Sequence, residues 1–177
     1  MAGRAFVVLA IAPLVAGQSC HALDVIHAHC QVSVTAQTSC KAVQDEMVSR
    51  VASISTGAWH DPHNNGIYSL ESQTDAQLEF KRVTGNKMFT DKLKFDFEDV
   101  DGTCKIHGCS QSQIPSVADF STNYCNLRML YCGEDEGCEP VQYSFSVKED
   151  SVEPSWGAGK DPSACLKTAK TATTIAV

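Results

Sequence analysis

Nine cysteines carry most of the chemical potential of this chain: Cys20, Cys30, Cys40, Cys104, Cys109, Cys125, Cys132, Cys138 and Cys165. A cysteine can be a nucleophile, a metal ligand or a disulfide partner, and the compartment decides among these. The N-terminus speaks to the compartment. Met1 to Arg4 carries one positive charge, Ala5 to Ala16 is an almost unbroken apolar run, and Gly17 to Ala22 is short and small. That is the order of a signal peptide, and the run is too short to span a bilayer. The small-residue rule permits cleavage after Gly17 or after Ala22. The second removes Cys20 and leaves an even set of cysteines. Residues 1–22 are therefore expected to be a signal peptide and 23–177 a single secreted domain, with Cys30, Cys40, Cys104, Cys109, Cys125, Cys132, Cys138 and Cys165 as disulfide partners.

Histidines are the next candidates. His27 and His29 lie two apart, so a strand places them on one face, and His60 and His63 flank a turn. They have the donor type for zinc or copper, but no spacing ties one pair to the other, and solvated histidines are the expectation. Glu98-Asp99-Val100-Asp101-Gly102 opens like a calcium loop but lacks the downstream glutamate, so a hairpin turn is expected there. Gly-x-Ser-x-Gly, His-Glu-x-x-His and phosphate-loop motifs are absent from the sequence. No catalytic residue, metal or cofactor is expected. With 14 Lys and Arg against 21 Asp and Glu, the formal charge is −7. An acidic chain disfavours nucleic acid and anionic membrane as partners. Nothing after the leader is long and apolar enough to cross a membrane.

The elements that must position these residues follow from periodicity. Residues 25–36 lean towards β and read as a short strand or an extended arm. Cys40, Val43, Met47, Val51 and Ile54 then recur at helical spacing, with Thr38 and Ser39 as N-caps and Gly57 as a stop. Strands are expected at 67–71, 77–83, 88–98 and 103–109, with a break at 73–75 and turns at Gly85-Asn86-Lys87 and Asp101-Gly102. The segment from about 110 to 137 reads as a cysteine-rich insertion holding a short helix capped by Ser121. Val141, Tyr143, Phe145 and Val147 alternate like a strand, and 164–170 reads as a last one. One helix and consecutive hairpins make an α+β domain, with that N-terminal helix packed on a curved antiparallel sheet and stapled by disulfides.

This order of parts resembles the secreted cystatins. Members of that family carry a Q-x-V-x-G hairpin tip, and Lys81-Arg82-Val83-Thr84-Gly85 matches it at Val83 and Gly85, with Lys81 in the glutamine position. Pro154-Ser155-Trp156 is similar to the family's later Pro-Trp loop, with one residue inserted. The resemblance implies a cystatin-like fold. It also implies inhibition of papain-like cysteine proteases, with both loops entering the active-site cleft as a wedge. A non-inhibitory secreted binding or structural module on the same fold is the alternative. The family's C-terminal hairpin disulfide implies a Cys138–Cys165 bridge. A Cys30–Cys40 bridge is also expected, to pin the arm to the helix. Cys104, Cys109, Cys125 and Cys132 would then form two bridges in one of three ways.

Overall fold

The fold is seen in a computed structural model that describes residues 27–116, 119 and 121–168. The expected signal peptide and Cys20 lie outside those residues. Six strands form one antiparallel sheet: β1 (His29–Ala36), β2 (Ile67–Thr74), β3 (Gln77–Val83), β4 (Thr90–Val100), β5 (Thr103–Ser112) and β6 (Val147–Pro154). Two helices cover it, α1 (Cys40–Ser53) and α2 (Thr122–Tyr131). This is an α+β fold. Strand order across the sheet is β2-β3-β4-β5-β1-β6. Of the two readings of this region, the described residues form the strand: β1 is interior, paired with β5 on one side and β6 on the other.

Local chemistry accounts for much of this. Ser39 caps α1, its side chain accepting the Ala42 N–H, which satisfies one of the donors a helix start leaves open. Asp99 on β4 accepts a second, from Cys40 N at 2.9 Å. Asp101 and Gly102 both adopt positive φ, 50° and 82°, the conformation a two-residue hairpin between twisted strands requires. Alternation puts Val32 and Val34, Leu78 and Phe80, Leu93 and Phe95, and Ile106 on one face, all buried. Gly108 lies opposite both Val32 and Phe95 in register. A side chain at 108 would collide with both, so the glycine makes room for its large neighbours. Both helices pack on this face, α1 over β2, β4 and β5, and α2 over β1, β4, β5 and β6.

Within the segment read as an insertion, α2 lies in the core. Along α2, Tyr124, Cys125, Leu127, Met129, Leu130 and Tyr131 are all buried. Ser121 precedes this helix in the left-handed region and makes no side-chain cap. Asp119 takes that role, accepting the Asn123 N–H at 3.0 Å. Residues 141–146 do not form the expected strand. The N–H groups of Val141, Gln142 and Tyr143 turn instead onto the Glu46 carboxylate at 2.8, 2.7 and 2.9 Å. Glu46 also accepts from Arg50 at 2.7 Å, and both side chains are fully buried. Arg50 in turn donates to the carbonyls of Met129 and Cys132 at 2.9 and 2.8 Å. Of the last expected strand, 164–170, residues 169 and 170 lie outside the described residues, and its start lies in a 3₁₀ turn at Pro162–Cys165. β2 runs through the break expected at 73–75 as far as Thr74.

The disulfides also differ from expectation. Cys40 bonds Cys104, Cys125 bonds Cys165, and Cys132 bonds Cys138. Neither Cys30–Cys40 nor Cys138–Cys165 forms; the Cys30 Sγ donates to the Gln31 carbonyl at 3.6 Å. Cys109 is disulfide-bonded as well. The Cys40–Cys104 link spans 64 residues and ties the start of α1 to β5, beside the Asp99 contact. A loop of that length makes the bridge worth about 4 kcal/mol on chain-entropy grounds.

Two outcomes are expected. Peptide mapping without reduction should recover the Cys40–Cys104, Cys125–Cys165 and Cys132–Cys138 crosslinks. Glu46→Gln should lower stability in urea unfolding by about 3–5 kcal/mol, because it leaves a buried guanidinium unpaired. Burial raises the Glu46 pKa, but bonds from Tyr143, Arg50, Gln142 and Val141 outweigh it and hold the group below its ordinary value. Its stabilisation is therefore complete above the ordinary carboxylate range and lost as pH falls through the lowered folded value. The variant should show a shallower acid limb.

Candidate functional site

The inward face of the sheet is apolar along most of its length and turns polar at one end. On β3 the inward row runs Leu78, Phe80, Arg82. On β4 it runs Phe97, Phe95, Leu93, Asp91, and on β5 Ile106, Gly108, Ser110, Ser112, all buried. The polar members are neighbours: Arg82 lies opposite Asp91, and Asp91 opposite Ser112. The N-terminus of α2 lies over this end, bringing Asp119, Thr122 and Asn123. Between sheet, helix and the loop at Asn64 is a cavity of about 320 Å³. Asp91, Ser112, Ser116, Asp119, Asn123 and Phe89 are among its walls.

A hydrogen-bonded chain joins the two acids beneath the cavity. Asn126 donates to Asp91 at 2.8 Å and to Ser110 at 3.2 Å. Ser110 donates to Asn123 at 2.6 Å, and Asn123 donates to Asp119 Oδ1 at 2.8 Å. Asp119 Oδ2 has no hydrogen-bond partner, although the residue is only 6% exposed. Burial raises the Asp91 pKa against bonds from Asn126 and the charge of Arg82. Burial also raises that of Asp119, more than the Asn123 bonds lower it, and the Asp91 charge adds to the rise. Both acids thus ionise less readily than exposed carboxylates and gain from any ligand that completes their hydrogen bonding or supplies positive charge.

Arg82 anchors the floor. It is fully buried, donates to Asp61 and Asn64, lies 3.8 Å from Asp91, and stacks 5.3 Å over the Tyr68 ring. Asp61 also accepts the His63 and Gly66 N–H groups at 3.0 and 2.9 Å, which folds the 61–66 turn around the guanidinium. A Cβ on Gly66 would strike that guanidinium.

The residues expected to contact a protease lie at this same end of the sheet. Arg82 and Thr84 are buried, Lys81 and Val83 half-buried, and Gly85 exposed. A Cβ at Gly85 would meet the Asn64 carbonyl, so its close backbone approach is made within the chain. Pro154 ends β6. Ser155 is stitched to β1, its N–H donating to the His29 carbonyl at 2.8 Å and its Oγ accepting the His29 N–H at 2.9 Å. Trp156 is 94% exposed. Four strand spacings of about 4.8 Å put about 19 Å between the 83–85 tip and the 154–156 loop, and the cavity lies on that same edge.

No protein-family model, curated protein or solved structure matches the chain.

The histidines are dispersed. His60 contacts the Thr168 carbonyl at 3.2 Å and His63 the Ala164 carbonyl at 3.1 Å, and no cluster of three metal-ligating residues occurs among the described residues. On the solvent-facing side of the sheet, Ser33 Oγ lies 3.1 Å from His107 Nδ1. The cross-strand neighbour Asp96 is bonded to Gln77 at 2.7 Å, which makes the row a polar ladder. Thr84 and Gly85 of the hairpin motif line the cavity, but Asp91 and Ser112 escape motif reading because they form no motif. Their signal is phase: Arg82, Asp91, Ser110 and Ser112 occupy inward positions of strands whose other inward residues are mostly apolar.

Titration followed by carboxyl carbon resonances should place Asp91 and Asp119 above the exposed carboxylates. Asp91→Asn should bring the Asp119 midpoint down, because one neighbouring negative charge is gone. Gly66→Ala should cost about 1–3 kcal/mol in denaturant unfolding, as overpacking against a buried group does.

Proposed function

We propose that this chain is a secreted, disulfide-stapled binding protein that takes a small molecule into the cavity at the polar end of its sheet. The observation that carries this reading is the Asp119 oxygen, buried without a partner in the wall of a cavity of about 320 Å³. A buried polar atom left unbonded is costly, and small-molecule sites occupy cavities of about 300–1,000 Å³ with a few placed polar groups. Secretion rests on the leader-like start and on the disulfides, which persist in oxidising compartments. No helix among the described residues is long and apolar enough to cross a membrane.

Ligand-observed NMR with a mixture of small polar molecules tests this. Wild type is expected to bind members of the mixture, and Ala28→Phe, which fills the cavity, is expected to lose them with an unchanged circular dichroism spectrum. Equal binding by both proteins, or none by either, would remove this reading.

A second reading is favoured by one observation, the 94% exposure of Trp156 at the sheet end that also carries the 81–85 hairpin. In that reading the fold is cystatin-like, α1 and the hairpins having their family roles, and the two loops engage papain-like cysteine proteases. An exposed tryptophan is a typical binding anchor, and Trp156→Ala should then cost about 2 kcal/mol or more of inhibition. Absence of papain inhibition by micromolar, disulfide-intact protein would dismiss it.

A further inference from the structure

We propose that the ligand of this cavity is a small organic cation, an amine whose ammonium group pairs with Asp119. The inference rests on the binding-protein reading above and names its ligand class.

Charge at the polar end is unbalanced. Among the described residues Arg82 is the one guanidinium beneath the cavity, and Asp61 and Asp91 both lie within ion-pair distance of it. Asp119 is a third buried carboxyl and has no salt bridge among the described residues. Arg82 thus serves two acids, and Asp119 has no cation in ion-pair contact among the described residues. An ammonium group in the cavity would supply the missing charge and donate to the unpartnered Asp119 Oδ2. Phe89, half-buried, also lines the cavity, and an aromatic ring is a group on which a cation can pack. A neutral polyol could satisfy the hydrogen bond but would leave the charge uncorrected.

Other titratable groups act on Asp119, and their signs are known. Asp91 from β4 raises its pKa and His29 from β1 favours its ionised form, while the Asp119 charge in turn raises the pKa of Cys30 on β1. Arg82 from β3 lies behind Asp91. From α2, Asn123 supplies uncharged hydrogen bonds. Amine affinity should therefore fall as pH drops through the Asp119 and Asp91 midpoints. Saturating amine should in turn lower the Asp119 midpoint.

Calorimetry on the disulfide-intact chain at neutral pH, with phenethylamine, phenethyl alcohol and glucose as probes, tests the proposal. Phenethylamine is expected to bind at least about tenfold tighter than the alcohol, and Asp119→Asn to remove that preference while keeping the wild-type circular dichroism. In the wild-type protein, phenethylamine should move the Asp119 carboxyl resonance midpoint downward, a readout that needs no variant. Equal affinity for amine and alcohol, an unmoved midpoint, or no amine binding would overturn the proposal. Glucose or alcohol binding that Ala28→Phe abolishes, without amine binding, would overturn it and leave the cavity reading standing.

Discussion

Glu46 and Arg50 form a fully buried ion pair one helical turn apart on α1, and two distant parts of the chain hang from it. Three backbone N–H groups of residues 141–143 close on the Glu46 carboxylate, and the last carbonyls of α2 close on Arg50. A buried ion pair is tolerated only when its remaining donors and acceptors are satisfied. Here backbone supplies nearly all of them. The cost of desolvating two charges is offset by groups that would otherwise need partners of their own, namely a helix C-terminus and a strandless segment. That arrangement sets the position of α2 relative to α1, and so decides what lies over the sheet.

The position of α2 matters because its N-terminus forms the wall of the cavity. A second buried arginine, Arg82, performs a comparable task on the sheet side. It draws the 61–66 turn inward through Asp61 and Asn64, and with that turn comes another wall. Cys125–Cys165 and Cys132–Cys138 hold both ends of α2, while Cys40–Cys104 holds the start of α1 on the hairpin of β4 and β5. The helix and the turn that border the polar end are thus held by buried charge and by covalent links. A preformed cavity of this kind loses little conformational entropy when it binds. The acids in it keep raised pKa values because the scaffold holds them away from water.

Much of the sheet was legible locally. Helix α1 follows from apolar residues at three- and four-residue spacing with Ser39 as cap. Strand β3 follows from its flanking turns, and the β4–β5 hairpin from Asp101-Gly102. These features depend on neighbours within a few positions of each other, and periodicity reads them directly. Buried Arg82 and Asp91 were not legible as a site, because a charged residue in an inward position looks like an ordinary charge until its cross-strand partner is known.

The amino-acid sequence by itself determined the α+β class, the long amphipathic helix, the hairpins and the disulfide-forming character of the chain. Tertiary structure alone decided which cysteines pair, that β1 lies between β5 and β6, and that α2 lies in the core. It also decided that 141–146 abandons the strand its alternation suggested. The physical reason is common to all four. Each outcome turns on a partner distant in sequence, such as Glu46 for the Tyr143 N–H or Cys104 for Cys40. Local propensity differs little between the alternatives, so the long-range partner determines the result.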